Sequence, residues 1–216
     1  MIGFWDYTVI LTFMSLGSSL LGIIMAAGHN YTHAVIFLAL SGLLDTFDGK
    51  VARTKKDRTD DEKAYGIQLD SLCDVIGFGV FPAFLCYKMG TTGFWGISVI
   101  VFYNIAAVTR LAYFNVLEMN RQEKEGGVNK YYSGLPVTSI AVIFPLVYLV
   151  NYWISRDCKS IVLELMLLVT GLLFVLDFKV KKPSNRQLVL WITMVTVALF
   201  ATIYLYHKSW LRVWGF

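Results

Sequence analysis

Cysteine is nearly missing from this chain: Cys73, Cys86 and Cys158 are an odd number at unrelated spacings, which excludes a disulfide framework and gives no zinc-type pattern. They read as thiols of a membrane core or a loop. The opening run Met1-Ile-Gly-Phe-Trp-Asp-Tyr7 lacks the basic segment of a cleavable secretion signal, so the first apolar stretch is expected to be retained. Internal repeats and low-complexity tracts are absent as well. Charge is scarce, with Asp, Glu, Lys and Arg at 16% against 56% hydrophobic residues and a mean hydropathy of +0.59. That balance excludes the soluble globular class.

What is present is apolar runs of membrane length. About 20 mostly apolar residues cross ~30 Å of hydrocarbon, and the sequence predicts seven such helices, near 7–27, 31–53, 67–89, 93–117, 134–153, 160–178 and 187–206. Runs this long, with acids and breakers only at their ends, favour helices over barrel strands. The expected fold is therefore an all-α polytopic membrane bundle, one integral membrane domain over 1–216.

Basic residues are distributed unevenly. With a cytoplasmic N-terminus, the inner segments hold Lys50, Arg53, Lys55, Lys56, Arg58, Lys63, Arg121, Lys124, Lys130, Lys179, Lys181, Lys182 and Arg186, thirteen of the nineteen. The outer segments hold five, and Arg110 lies within a span. The positive-inside rule then orients the chain in the cell membrane, with the Thr54–Tyr65 loop cytoplasmic and the C-terminus opposite.

The chemistry concentrates between Asp45 and Asp74. Asp45, Asp48, Gly49 and Ala52 fall on one helical face with Arg53 beside it, and Gly66, Asp70 and Asp74, four residues apart, form a second stripe. The apolar part of the second helix, Ala34–Leu44, is too short to span, so the helix must continue through its acids. Asp45 then lies about 21 Å from Tyr31 and Arg53 about 33 Å, the depth of a lipid phosphate on the cytoplasmic side. Four converging carboxylates repel one another unless divalent cations offset them, and oxygen ligands suit Mg²⁺ or Mn²⁺. Paired metals serve displacement at phosphorus, so the stripes predict a phosphoryl-transfer site.

Elsewhere the features have structural readings beside functional ones. Ser15, Gly17, Ser18, Ser19 and Gly22 allow close approach of a neighbouring helix. His29 and His33 read as interfacial. The mixed-charge segment Thr54–Tyr65 reads as a solvated connector, with Lys55, Lys56 and Arg58 as cations able to draw anionic lipid or nucleotide. Gly77, Gly79 and Pro82 suggest a thin wall beside the acids, for substrate or for packing. Arg110, about 26 Å along its helix from Gly93, is either a snorkelling anchor or a ligand contact. Glu118–Lys130, with Gly126-Gly127, reads as a lid, and Pro136 as part of a helix start. The last three spans are expected to shape a lipid cavity or a dimer contact.

The order Asp45-x-x-Asp48-Gly49-x-x-Ala52-Arg53, a spacer, then Gly66-x-x-x-Asp70-x-x-x-Asp74 resembles the signature of the CDP-alcohol phosphotransferase family at all eight of its positions. The spacer has twelve residues where eight is commonest, but it lies between the stripes and leaves their phase intact. The resemblance implies a six-helix core, here with about one extra span, and transfer of a phosphatidyl-type group from a CDP-linked donor to an alcohol with two divalent cations. Asp45, Asp48, Asp70 and Asp74 would be metal ligands, and Asp74 also the base. Gly49, Ala52, Arg53 and Gly66 would accommodate the nucleotide. Residues 66–82, with Arg110–Asn115 and Gly134-Leu-Pro136, are similar to the phosphatidylserine synthase branch, which implies CDP-diacylglycerol and L-serine as substrates. Arg110 would then bind the serine carboxylate, with Lys130 as second candidate. Scarcity of cations inside the spans favours serine over glycerol phosphate or inositol phosphate, which stay open as acceptors. An ion or metal transporter is the reading from another class, disfavoured because the acids cluster toward one membrane face. A homodimer is expected, and no nucleic-acid partner.

Overall fold

The computed structural model describes residues 3–52, 54–55, 57–123, 131–155, 158–181 and 184–213. Among them the chain forms seven helical rods. α1 (Ile10–Ala27) is entered through a 3-10 turn, Tyr7–Val9, and is followed by α2 (Tyr31–Ala52). The third rod joins α3 (Asp60–Asp74), a π-helical turn at Val75–Val80, and α4 (Phe81–Lys88). Then come α5 (Gly93–Glu123), α6 (Ile140–Asn151), α7 (Lys159–Val175) and α8 (Asn185–Val213). Four stretches, Tyr7–Ala27, Asp60–Lys88, Gly93–Asn120 and Arg186–Leu205, are long and apolar enough to cross a bilayer. The protein is an integral membrane protein.

The third rod begins at Asp60, seven residues before the predicted span. Thr59 and Glu62 form a reciprocal capping box, and Asp60, Asp61 and Glu62 set three acids in the first turn, where the helix dipole favours them. Much of the expected connector is therefore helix. In the same way α5 continues to Glu123 instead of ending near 117, so the proposed lid is helical at its start. Its remainder, 124–130, lies outside the described residues.

Small residues in α1 and the third rod serve packing. Ser15 and Ser19 hydroxyls are hydrogen-bonded to Ser41 Oγ at 2.9 and 2.7 Å, and Ser18 Oγ donates to the Phe37 carbonyl at 2.9 Å. A Cβ at Gly77 would stand 2.8 Å from Ser19 Oγ, so the wall beside the acids is thin because α1 and α2 press on it. The π turn misaligns the helical ladder, and Tyr103 Oη donates to the Phe78 carbonyl at 2.6 Å. Behind this wall, Leu38, Phe81, Leu85, Phe144, Leu163 and Leu167 are fully buried in one core.

A two-stranded ribbon joins the connections on the side of the acids. β1 (Tyr131–Ser133) pairs antiparallel with β2 (Lys179–Lys181), Tyr132 opposite Val180. The predicted helix start at 134 is instead a non-helical bend: Gly134 has φ +71°, its N–H donates to Phe178 O at 2.7 Å, and Leu135 N–H donates to Leu173 O at 3.1 Å. Pro136 then caps a 3-10 turn, Val137–Ser139, that leads into α6.

Gly42 is the tightest joint between α2 and α6, because a Cβ there would collide with the Ala141 methyl, which is fixed to its backbone and has no rotamer to escape by. Gly42→Ala is expected to destabilise the protein by about 1–3 kcal/mol, read as a lowered thermal midpoint in detergent. Gly17→Ala, where a Cβ meets nothing within 4 Å, is the matched control and should melt at or above the wild-type midpoint.

Candidate functional site

Helical periodicity puts each acid stripe on one face, and packing turns the two faces toward each other. Asp45 of α2 meets Asp70 and Asp74 of α3, and Asp48 lines the same cavity. One carboxylate oxygen from each of Asp45, Asp70 and Asp74 lies within 4.8 Å of the others. Asp48 and Asp74 are buried. Thr12 Oγ1 of α1 donates to Asp48 Oδ2 at 3.1 Å and so aims the fourth carboxylate into the group.

This oxygen-only donor set fits a hard divalent cation. Asp70 Oδ1 supports the fit directly, since it is buried and accepts no hydrogen bond among the described residues. A carboxylate oxygen in that condition is strongly unfavourable unless a cation or proton meets it.

The acids open onto a cavity of about 1250 Å³ between α2, α3, α5, α6 and α8. Drug-sized ligands occupy pockets of roughly 300–1,000 Å³, so this one suits something larger. Its lining is polar at the four aspartates and Arg110 and apolar at Leu40 and Leu43 of α2 and Leu188, Trp191, Ile192 and Leu199 of α8, and Gly49, Ala52 and Gly66 also border it.

Arg110 is buried at the cavity wall, where its Nε donates to the Leu135 carbonyl at 3.4 Å and its guanidinium lies 5.9 Å from the Phe114 ring centroid. A snorkelling anchor would reach away from the protein instead. A Cβ at Gly49 would meet nothing within 4 Å among the described residues, and the glycine lines the cavity. Arg53 and Lys130 lie outside the described residues.

Several contributors were not identified from sequence. Thr12 carries no signal in α1. Ser71 Oγ donates to Asn115 Oδ1 at 2.7 Å, tying α3 to α5 one turn from the acids. Cations from outside the span interiors also reach the cavity, since Lys50, Lys55, Arg58 and Lys63 line it along with Arg110. Lys55 is engaged: its Nζ donates to Asp6 at 2.8 Å and to Glu62 at 2.9 Å. The Lys55 hydrogen bond, aided by one from Thr8, holds the Asp6 carboxyl down at about 2, so the clamp stays charged across physiological pH.

Taken together, the bundle and its acids define a membrane-embedded carboxylate site able to hold divalent metal beside a lipid-sized cavity. The chain belongs to the CDP-alcohol phosphatidyltransferase family, whose sequence profile matches residues 7–215. It is similar to the CDP-diacylglycerol–serine O-phosphatidyltransferase of Saccharomyces cerevisiae, 30% identical over 158 residues that cover 70% of this chain and 56% of the relative. It is also similar to the archaetidylserine synthase of Methanothermobacter thermautotrophicus, at 31% over 162 residues, 74% of this chain and 65% of the relative. For a CDP-diacylglycerol–serine O-phosphatidyltransferase of Mycobacterium bovis the figures are 25% over 220 residues, 94% and 72%. The chain thus spans less than two thirds of the length of the first two relatives.

Proposed function

We propose that this protein transfers a phosphatidyl group from CDP-diacylglycerol to L-serine and releases CMP, as a single integral domain of the cytoplasmic membrane with its site open to the cytoplasm. The observation that carries this reading is that Asp45, Asp70 and Asp74 converge, with Asp48, on the wall of a large cavity whose lining is otherwise mostly apolar. The relatives' names supply serine as the acceptor class, and the Lys/Arg asymmetry supplies the orientation.

The four aspartates would hold two divalent cations, Mg²⁺ or Mn²⁺. When bound, such ions offset the charge of the diphosphate and of the departing CMP. Asp74 accepts the proton of the serine hydroxyl; the serine oxygen forms its bond to the β-phosphorus, and the bond from that phosphorus to the bridging oxygen breaks, the electron pair leaving with CMP. Thr12 fixes Asp48 by its hydrogen bond. Gly49 and Ala52 leave room for the cytidine, and Arg53 would help hold the nucleotide end. Burial of Asp74 limits water, which would otherwise compete with serine as nucleophile.

Arg110 holds the serine carboxylate. Arg110→Lys keeps the charge but loses the planar fork, so the KM for serine should rise about tenfold or more while that for CDP-diacylglycerol moves little. The opposite pattern would put Arg110 on the nucleotide side.

An acceptor bearing its own phosphate is the second reading, favoured by Lys50, Arg58 and Lys63 on the cavity wall. Purified protein incubated with CDP-diacylglycerol, Mn²⁺ and, separately, serine, glycerol 3-phosphate or inositol 1-phosphate tests both. CMP release with serine alone is expected. Release with a phosphorylated acceptor alone would reassign the acceptor, and release with none would overturn the proposed activity.

A further inference from the structure

The connector between α2 and α3 carries a cation whose placement no part of the signature explains. Arg58 stands just before the capping box, and its Nη2 donates to the Glu62 carbonyl at 3.0 Å, which turns the guanidinium back along the first turns of α3. There it covers Gly66: a Cβ on that residue would lie 2.6 Å from Arg58 Nη2. Gly66 is therefore small because an arginine occupies the space over it. The guanidinium faces the same cavity as the four aspartates, and Gly66 is one turn, about 6 Å of helix rise, on the cytoplasmic side of Asp70.

The other described connector cations are engaged. Lys55 is clamped between Asp6 and Glu62, and Lys63 pairs with Asp60 at 2.9 Å. Lys50 of α2 lies 5.0 Å from the Phe47 ring centroid. Arg58 differs, because its Nε is buried and donates to nothing among the described residues. A buried donor on a permanent cation, in a site that otherwise repels anions with four carboxylates, calls for an oxyanion.

We propose that Arg58 is a phosphate ligand for the nucleotide end of the donor, seated on Gly66 and braced by the Glu62 carbonyl, so that it draws the CDP group into a strongly acidic site and holds the phosphate that leaves as CMP. This rests on the reading of the cavity as a CDP-lipid site. The Asp6–Lys55–Glu62 clamp positions it, since it fixes the connector on which Arg58 is carried.

The test is equilibrium binding of CDP and of cytidine to the detergent-purified full chain in Mn²⁺, alongside the thermal midpoint and the KM for serine. Arg58→Ala should weaken CDP about tenfold or more, with cytidine affinity, melting and the serine KM within about twofold or a few degrees of wild type. Arg58→Lys should recover part of the CDP affinity. Gly66→Ala, which pushes the guanidinium off its seat, should weaken CDP similarly and add little in the Arg58→Ala background. It also serves as the test should Arg58→Ala fail to fold. Equal loss of CDP and cytidine would make Arg58 only a brace for α3, and a rise confined to the serine KM would make it an acceptor ligand; either overturns the proposal. Failure of the wild-type protein to bind CDP would overturn the reading of the cavity itself, whereas wild-type binding with an unaffected Arg58→Ala variant would remove Arg58 alone.

Discussion

Asp74→Asn should lower kcat for CMP release by about 10³-fold, within the 10²–10⁴ range of a lost general base. The CDP-lipid KM should stay within about threefold. The variant isolates chemistry from architecture because Asn matches the shape of Asp and keeps polar atoms beside Asp45 and Asp70. What it removes is a proton acceptor and one buried charge among four. Buried like charges oppose folding, so in EDTA the variant should melt at or above the wild-type temperature, a sign that this aspartate is kept for its task and not for stability. Wild-type turnover in the variant would demote Asp74 to a spectator. A loss that excess Mn²⁺ restores would make it a ligand only.

Removal of divalent cations should have an effect at least as large. Excess EDTA is expected to bring CMP release to background, and added Mn²⁺ or Mg²⁺ to restore it, while Na⁺ or K⁺ does not. The reasons are geometric: three carboxylate oxygens lie within 4.8 Å of one another, and Asp70 Oδ1 is buried without a partner among the described residues. Metal binding to the folded state alone also adds stability, about 2.7 kcal/mol at a hundredfold excess over Kd, so the thermal midpoint should rise with Mn²⁺ even without substrate. Because ligand carboxylates bind metal only when deprotonated, apparent Mn²⁺ affinity should fall as pH is lowered. A midpoint indifferent to Mn²⁺, with turnover intact in EDTA, would overturn the metal reading.

These expectations depend on a site that was legible in part. Spacing alone assigned Asp45 and Asp48 to one helical face and Gly66, Asp70 and Asp74 to another, since a period of 3.6 residues is a local property of the chain. Composition determined the membrane class, and the eight signature positions the family. The same local logic located most helix boundaries within a turn or two. It missed the start of α3, although Thr59 and Glu62 have the spacing of a capping box, because charge alternation through Thr54–Tyr65 was weighed as solvated loop instead.

Only the tertiary structure decided which acids meet. The meeting of Asp45 of α2 with Asp70 and Asp74 of α3 depends on how each helix is rotated within the bundle, which packing fixes at places such as Gly77 under Ser19 and Gly42 against Ala141. The β1–β2 ribbon was invisible for the same reason: it joins two three-residue segments nearly fifty residues apart, too short to show alternation. Arg58 belongs with these. Sequence listed it among the cations of a connector, and only the fold lays its guanidinium over Gly66, eight residues on, because α3 turns that glycine toward the returning side chain. Periodicity sets which face a residue occupies, whereas long-range packing sets what that face meets.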